Sequence, residues 1–273
     1  MKYLLIILLI IFSNTLSAKR IISLGLTSTE IITDLKYQSK IIGCDTWSKG
    51  ITGTGMAVDL GPLEKIDFKL LKELKPDLII VDAEFSKFGN KEKLNATGLK
   101  VHYLANKFSK NQVEENIKAI AKLIGKTGEI ENSKERFRKK YAEYLEMKNN
   151  NKIKSKVIYL ESNYKGSFMI AGNNTSPNAI LKDAGNTLKL EIDDWKTITI
   201  EEINKLNPDV IIITDKLIKD LGGNEKTLKI FSKTKPGQND KVIVIEDWEF
   251  RNYGIHVSDM LLKIMGTFNE NGF

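Results

Sequence analysis

The chain has 273 residues, of which 41% are hydrophobic and 28% are charged, so it can bury the core of one large domain or of two lobes. Its net charge of +7 is spread along the chain, and no basic block is interleaved with aromatic residues, which argues against a nucleic-acid-binding protein. A single cysteine, Cys44, excludes an intramolecular disulfide.

Residues 1–18 have the pattern of a secretory signal peptide. A basic start at Lys2 is followed by an apolar run over 4–12 and by small and polar residues that end at Ala18. The apolar run is shorter than the ~20 residues that a membrane-spanning helix needs, and no cysteine follows it to carry a lipid. We therefore expect a soluble protein that is exported to the periplasm and cleaved after Ala18.

Residues 19–110 predict an N-terminal α/β lobe. Thr27 and Glu30 are spaced as a capping box at the start of the first helix. Short apolar strands alternate with helices, which is typical of a parallel sheet with crossover helices. The strands are predicted at 20–24, 40–44, 78–81 and 101–104, and the helices near 27–37, 66–74 and 91–97.

Residues 111–150 predict a helical linker. Two helices are expected, at about 111–124 and 129–148, because glycines interrupt the segment only between them. At 1.5 Å per residue the second helix would span roughly 30 Å, enough to join two lobes. The polar run at 149–152 marks the boundary with the last part of the chain.

Residues 151–273 repeat the α/β pattern and predict a C-terminal lobe. Ser176 followed by Pro177 suggests a helix N-terminus that is capped by the serine. The fold class is therefore α/β, with two similar lobes of mainly parallel sheets, a long rigid helix between them and a ligand cleft between the lobes. The strands are predicted at 157–160, 168–171, 210–214 and 242–246, and the helices at 176–184, 200–206, 226–231 and 257–265.

One phrase occurs twice and supports the two-lobe prediction. Residues 72–82 read KELKPDLIIVD and residues 204–215 read NKLNPDVIIITD, so Pro76 and Pro208 lie about half a chain length apart. The repeat periods of solenoid proteins are far shorter. Two similar lobes leave a cleft between them, which is a natural place for a ligand.

Residues that could perform catalysis are sparse. The chain has two histidines, so a three-histidine metal site is impossible; His102 lies in an apolar strand and His256 follows an aromatic loop. The Gly-x-Ser-x-Gly motif of a hydrolase nucleophile is absent. An enzyme is therefore not supported.

The aromatic residues are placed more suggestively. Trp47, Trp195, Trp248 and Tyr253 all fall in loops next to predicted strands and helices. In open α/β sheets, the loops at the carboxyl ends of the strands line the ligand crevice. We expect these four side chains to form an aromatic cleft, and the alternative is that each packs at the rim of a lobe.

These segments together resemble a known family. RIISLGLTSTEIITDL, KIIGCDTW and LKELKPDLIIVD resemble the N-terminal lobe of the substrate-binding proteins of iron-siderophore, haem and vitamin B12 importers, and MIAGNNTSPNAILKDAGN, ITIEEINKLNPDVIIITD and KVIVIEDWEF resemble their C-terminal lobe. The resemblance covers nearly the whole mature chain in the right order. It implies a monomeric periplasmic carrier, without enzymatic activity, that delivers its ligand to an ABC permease and its ATPase in the inner membrane.

The resemblance makes haem the first expected ligand and cobalamin or a ferric siderophore the second. The segment at 171–185 is similar to haem-binding members, in which a Tyr stands seven residues before an acid; Pro62 and Lys69 occupy those positions here. The haem iron would then be bound by Tyr253 or His256. Trp195 and the DWEFR segment are similar to cobalamin-binding members. An exported enzyme or sensor on the same scaffold is the less favoured alternative.

The resemblance also implies docking through one glutamate on each lobe. Glu201 stands seven residues before Pro208 and matches, with Thr199 as the expected helix cap. Lys69 stands at the corresponding N-terminal position and does not match, and Glu64 is the nearest substitute in the sequence.

Overall fold

A computed structural model describes residues 20–51, 53–105, 107–150, 155–162, 167–246 and 250–270. The predicted signal peptide at 1–18 lies outside these ranges. None of the helices in the described part of the chain is both long enough and apolar enough to cross a membrane.

The first half of the chain forms a five-stranded parallel sheet, with strands in the order β3-β2-β1-β4-β5. The central strands β1 and β4 are buried along their whole length, which agrees with their continuous runs of aliphatic residues. The predicted alternation of strands and helices is confirmed, and the short β3 adds a fifth strand to the four that were predicted. The strands are β1 (Ile21–Leu24), β2 (Ile41–Cys44), β3 (Val58–Asp59), β4 (Leu78–Val81) and β5 (Val101–Tyr103).

The helices of this lobe are α1 (Leu26–Asp34), α2 (Phe68–Glu73) and α3 (Lys91–Asn95). The predicted capping box of Thr27 and Glu30 is wrong. Gly25 is the N-cap of α1, and Asp82, which follows β4, accepts hydrogen bonds from the amides of Thr27 and Ser28. A carboxylate from a neighbouring strand thus replaces the local cap.

The helical segment between the lobes is confirmed as two helices, α4 (Lys110–Ile124) and α5 (Ile130–Asn150). Gly125 ends α4 in the left-handed conformation, which glycine adopts without steric cost. On α5, Phe137 and Tyr144 are buried, and the hydroxyl of Tyr144 donates to the carbonyl of Asp183 in the C-terminal half at 2.5 Å. The long helix is therefore packed against the second lobe and does not merely lead to it.

The second half of the chain forms a five-stranded sheet in the order β10-β9-β6-β7-β8. It is parallel from β10 to β6, but β7 pairs antiparallel with both of its neighbours. The prediction of mainly parallel sheets therefore holds for the first lobe and for one side of the second. The strands are β6 (Val157–Ser162), β7 (Phe168–Ile170), β8 (Lys196–Ile198), β9 (Val210–Thr214) and β10 (Val242–Ile245).

The helices of the second half agree with the sequence analysis in most places. Thr175, not Ser176, caps α6, because its hydroxyl accepts the amide of Asn178. Thr199 caps α7 as predicted. The short helices α8 and α10 were missed, and α11 is longer than predicted. The helices are α6 (Ser176–Ala184), α7 (Ile200–Leu206), α8 (Asp215–Asp220), α9 (Asn224–Phe231), α10 (Lys235–Gln238) and α11 (Val257–Glu270).

The repeated Pro-Asp phrase makes the same connection in both lobes. Asp77 accepts a hydrogen bond from the amide of Arg20 at 2.8 Å, and Asp209 accepts one from the amide of Lys156 at 3.0 Å. Arg20 and Lys156 directly precede β1 and β6, the first strands of the two sheets. Each aspartate therefore fixes the start of the strand that pairs with its own.

Candidate functional site

A cavity of about 420 Å³ lies between the two lobes, within the size range of small-molecule sites. It opens at the carboxyl ends of the parallel strands, as the sequence analysis predicted for the crevice. Its apolar lining comes from both halves of the chain, with Leu26, Trp47, Leu63, Phe88 and Leu104 from the first and Met169, Pro177 and Trp195 from the second.

Trp47 and Trp195 both lie on the cavity wall, on opposite lobes. Trp47 is 36% exposed, and the guanidinium carbon of Arg251 lies 4.1 Å from the centroid of its ring. The ring of Trp195 packs edge-on against Tyr159, with a centroid distance of 6.0 Å. The cavity therefore has one partly exposed aromatic ring, that of Trp47, stacked with a cation, and a second, that of Trp195, packed against the buried Tyr159. Trp248 lies outside the described residues.

Tyr253 also lies on the wall, but its hydroxyl points into the protein. The side chain is 3% exposed, and the hydroxyl donates a hydrogen bond to a carboxylate oxygen of Asp183. The ring packs edge-on against Phe108. Burial raises the pKa of the Tyr253 hydroxyl, so the group stays protonated.

His256 is not among the residues that line the cavity. Its side chain is 59% exposed, and its Nδ1 lies 3.2 Å from a carboxylate oxygen of Asp259 on α11. His102, on β5, is half-buried, and burial lowers the pKa of its imidazole. Within the described ranges, no three His, Cys, Asp or Glu side chains converge in a way that could hold a metal ion.

Two buried carboxyl groups, those of Asp45 and Asp82, form the floor of the cavity on the side of the N-terminal lobe. Asp82 accepts from the amides of Thr27 and Ser28 at 2.7 and 2.9 Å, at the positive end of the α1 dipole. Asp45 accepts from the amide of Gly25 at 2.7 Å and from the hydroxyl of Ser48 at 2.6 Å. Burial raises the pKa of Asp82 to about 7 and also raises that of Asp45.

Gly25 is required at this floor. Its φ is +123°, and a Cβ atom on it would lie 2.3 Å from the carboxyl carbon of Asp82. Only glycine tolerates both the backbone conformation and the approach of the carboxylate.

The cavity wall carries more acids than bases. Asp45, Glu64, Asp82, Glu84 and Glu161 line it, against Lys216 and Arg251. Both bases come from the second half of the chain and lie near acids of the same half: Arg251 is 3.7 Å from Glu161, and Lys216 is 2.5 Å from Asp220. The cleft therefore presents polar groups of both signs around its apolar lining.

Contacts across the cleft hold the two lobes together. The ammonium group of Lys87 donates to the carbonyl of Asn174 at 3.0 Å and lies 3.3 Å from a carboxylate oxygen of Asp194. The side-chain amide of Asn252 donates to Glu30 at 2.9 Å. With the stacking of Arg251 on Trp47, these contacts lie at two places around the cavity: Lys87 on one side, and the adjacent residues Arg251 and Asn252 on the other.

The predicted docking residue Glu201 is exposed in the first turn of α7. Two hydrogen bonds lower the pKa of its carboxyl group: the larger effect comes from its own backbone N–H and the smaller from the hydroxyl of Thr199. Lys69 takes the same place in the first turn of α2, where its side chain is 88% exposed. Glu64, the suggested substitute, lies on the cavity wall. The first turn of α2 therefore presents the positive charge of Lys69, and the first turn of α7 presents the negative charge of Glu201.

Several wall residues were missed by the sequence analysis. Asp45 and Asp82 each follow directly after a predicted strand, and Lys216 lies just after β9. The rule that strand ends line the crevice was applied to the aromatic residues only. Applied to polar residues as well, it would have found these three.

A family model described as periplasmic binding protein matches residues 21–247. The chain belongs to this family. Members of the family bind solutes for import by ABC transporters, and the chain has the same two-lobed architecture. The search of curated proteins found no match.

Solved structures with the same fold span nearly the whole chain. The periplasmic haem-binding protein RhuT from Roseiflexus sp. RS-1 has a TM-score of 0.83 at 21% identity, over 93% of this chain and 99% of that one. The periplasmic haem-binding protein HutB of Vibrio cholerae has 0.76 at 20%, over 92% and 99%. The vitamin B12-binding protein BtuF of Vibrio cholerae has 0.77 at 18%, over 93% and 98%. At these identities the likeness establishes the fold.

Proposed function

We propose that this protein is the exported solute-binding component of an ABC importer and that it captures a tetrapyrrole, with haem as the first candidate. The observation that carries the proposal is the cavity of about 420 Å³ that both lobes line with apolar and aromatic side chains. Trp47 and Trp195 offer flat faces to a planar ligand. Arg251 and Lys216 can each pair with a carboxylate on such a ligand.

Structural neighbours support this class of ligand. RhuT and HutB are haem-binding proteins and BtuF binds vitamin B12, and all three have the fold of this chain. We infer a carrier in preference to an enzyme, because the chain belongs to a family of solute-binding proteins and its cleft offers a ligand apolar contacts and hydrogen bonds.

Cobalamin is the second candidate, and two observations favour it. Iron coordination by Tyr253 requires its hydroxyl to leave Asp183, and coordination by His256 requires a side chain that lies off the wall to reach the ligand. The acid-rich wall also opposes the carboxylates of haem, whereas a corrinoid with neutral amide side chains donates hydrogen bonds to such acids.

Titration with haemin and with cyanocobalamin, followed by absorption spectroscopy, tests the proposal. Haem capture predicts a shifted Soret band in the unaltered protein. Loss of the shift in Tyr253→Phe, which keeps the ring, identifies that hydroxyl as the iron ligand, and loss in His256→Ala identifies the imidazole. A protein that binds cyanocobalamin and leaves the Soret band unshifted supports the second candidate. Binding of neither compound contradicts the proposal.

We also propose that Glu201 docks the C-terminal lobe onto an arginine of the permease, as the family resemblance implies. Its exposure and the short α7 that presents it support the role. Glu201→Arg should weaken stimulation of the importer ATPase about tenfold, as loss of a charged interface pair does, and leave ligand affinity unchanged.

The matched control for docking is Glu225→Arg, since Glu225 is also exposed in a first turn of the C-terminal lobe, on α9. It should stimulate the ATPase like the unaltered protein. Equal losses in both variants would mean that added positive charge, and not the Glu201 contact, is responsible.

A further inference from the structure

Glu30 joins the two lobes from behind the cavity wall. It lies on α1, its side chain is 9% exposed, and its Oε1 accepts a hydrogen bond from the side-chain amide of Asn252 at 2.9 Å. Asn252 lines the cavity together with Arg251 and Tyr253, whereas Glu30 is not among the lining residues. Glu30 therefore contacts the segment that forms the wall, not the space inside it.

The segment packs closely on Glu30. A Cβ atom on Gly254 would lie 2.8 Å from Oε2 of Glu30 and 2.3 Å from Oδ1 of Asn252, so a side chain there would displace both groups. Oε2 itself is buried and has no hydrogen-bond partner among the described residues. A charge on an unpaired buried oxygen costs much more free energy than a neutral carboxyl group in the same place.

The charged groups that face Glu30 also oppose its ionisation. Asp82, after β4, and Asp259, on α11, both raise its pKa, and burial contributes the most. Part of the effect of Asp259 is offset, because Lys140 forms an ion pair with it; the Nδ1 of His256 also lies 3.2 Å from this carboxylate. The hydrogen bond from Asn252 acts in the opposite direction, and the resulting pKa of Glu30 is about 8.

Building on the proposed function, we infer that Glu30 is a positioning residue whose neutral form holds residues 251–254 against α1. Ionisation strengthens the single bond from Asn252 but places charge on the buried, unpaired Oε2, and opening of the segment to water relieves that larger cost. Ionisation therefore loosens the segment and weakens ligand capture. The segment carries Arg251, which stacks on Trp47 across the cleft, so loosening it also releases a contact between the lobes. Both ligand affinity and the order of the segment should therefore fall as the pH rises through about 8.

Amide hydrogen exchange over residues 250–256, measured by mass spectrometry without any ligand, tests the inference. The unaltered protein and Glu30→Gln share the sequence of this segment, so their intrinsic exchange rates are equal at each pH. We expect the ratio of exchange rates, unaltered protein over Glu30→Gln, to rise at least about fivefold between pH 6 and pH 9, the lower end of typical coupling between sites.

Glu143→Gln is the matched control, because Glu143 is an exposed acid on α5. It should retain the full pH response of the unaltered protein. A Glu30→Gln variant that shows this same response would overturn the inference.

Asn252→Ala is a second variant that tests the same inference and leaves α1 unchanged. It serves in place of Glu30→Gln if that variant does not fold. Removal of the amide that bonds Glu30 should give fast exchange in the segment already at pH 6, with little further change at pH 9. A pH response like that of the unaltered protein would show that Glu30 does not act through Asn252.

Haemin binding then connects the segment to ligand capture. The Kd of the unaltered protein for haemin, divided by the Kd of Glu30→Gln, should rise at least about fivefold between pH 6 and pH 9. Because both proteins meet the same haemin at each pH, this ratio cancels the pH-dependent chemistry of haemin itself. If neither haemin nor cyanocobalamin binds at any pH, the proposed function fails, and the exchange experiment still decides the role of Glu30.

Discussion

The two lobes are built on one phrase but differ at the position where the central strand of each phrase ends. The sixth position after the proline is Asp82 in the first lobe and Thr214 in the second, each directly at the end of a central strand. Asp82 caps the amides of α1, which lies earlier in the chain, whereas the hydroxyl of Thr214 caps its own following helix, α8. One lobe therefore places a titratable acid at the cleft where the other places a neutral group.

The difference explains why the N-terminal wall carries the buried acids. Asp45 and Asp82 converge on the first turn of α1, and the backbone amides there compensate their charge. In the second lobe, Asp209 lies at the opposite end of its strand from the cleft, and a hydrogen bond from Lys235 lowers the pKa of its carboxyl. The floor of the cleft should therefore contribute a pH response from the first lobe, in addition to that of Asp183, the partner of Tyr253 in the second lobe, whose pKa burial also raises.

Gly25→Ala should give the largest effect. The added Cβ meets Asp82 at 2.3 Å in a backbone conformation that disfavours any side chain, so we expect a loss of about 4 kcal/mol in the free energy of unfolding. Urea denaturation measures the loss. Gly50→Ala is the control, because a Cβ there meets nothing within 4 Å. Similar stability of the two variants would show that Asp82 moves aside freely.

Asp82→Asn should change how stability depends on pH. The folded-state pKa of Asp82 is about 7, above its unfolded value, so the folded protein binds the extra proton and its stability falls as the pH rises towards 7. Between pH 5 and pH 8 this residue should account for about 3 kcal/mol of lost stability.

The Asn variant should be less stable than the unaltered protein at pH 5 and recover relative to it by pH 8. Urea midpoints at several pH values measure the crossover. A constant difference between the two proteins over this range would mean that Asp82 is already ionised at pH 5 in the folded state.

Thr214→Val should show the opposite behaviour to Asp82→Asn. Valine keeps the buried volume and removes the oxygen that accepts the amide of Leu217 at 3.0 Å. We expect a loss of about 1 kcal/mol, the usual value of an N-cap, and the same loss at pH 5 and pH 8. A loss that varies with pH would indicate that the second lobe also contributes a titrating group at this position.

The sequence predicted the fold better than the floor of the cleft, for a physical reason. Strands such as β1 and β4 are continuous apolar runs that the sequence shows directly. Trp47, in the loop after β2, and Trp195, in the loop before β8, lie on the cavity wall. The capping box at Thr27 failed because Asp82, far away in the sequence, takes the amides. The partner of Glu30 was equally out of reach, since Asn252 lies 222 residues away.

The smallest predicted effect concerns the residue before each proline. Lys75 and Asn207 have nearly the same left-handed φ, 46° and 47°. Asparagine tolerates this conformation better than lysine, since its short polar side chain bonds to the local backbone. Lys75→Asn should therefore gain about 0.5 kcal/mol and Asn207→Lys should lose a similar amount, which thermal unfolding detects as shifts of about 1 °C. Lys75→Ala is the control, because alanine keeps the Cβ without the polar group and should gain nothing. If Lys75→Asn and Lys75→Ala behave alike, the asparagine of the second lobe has no conformational advantage, and the two copies of the phrase differ in effect only at Asp82 and Thr214.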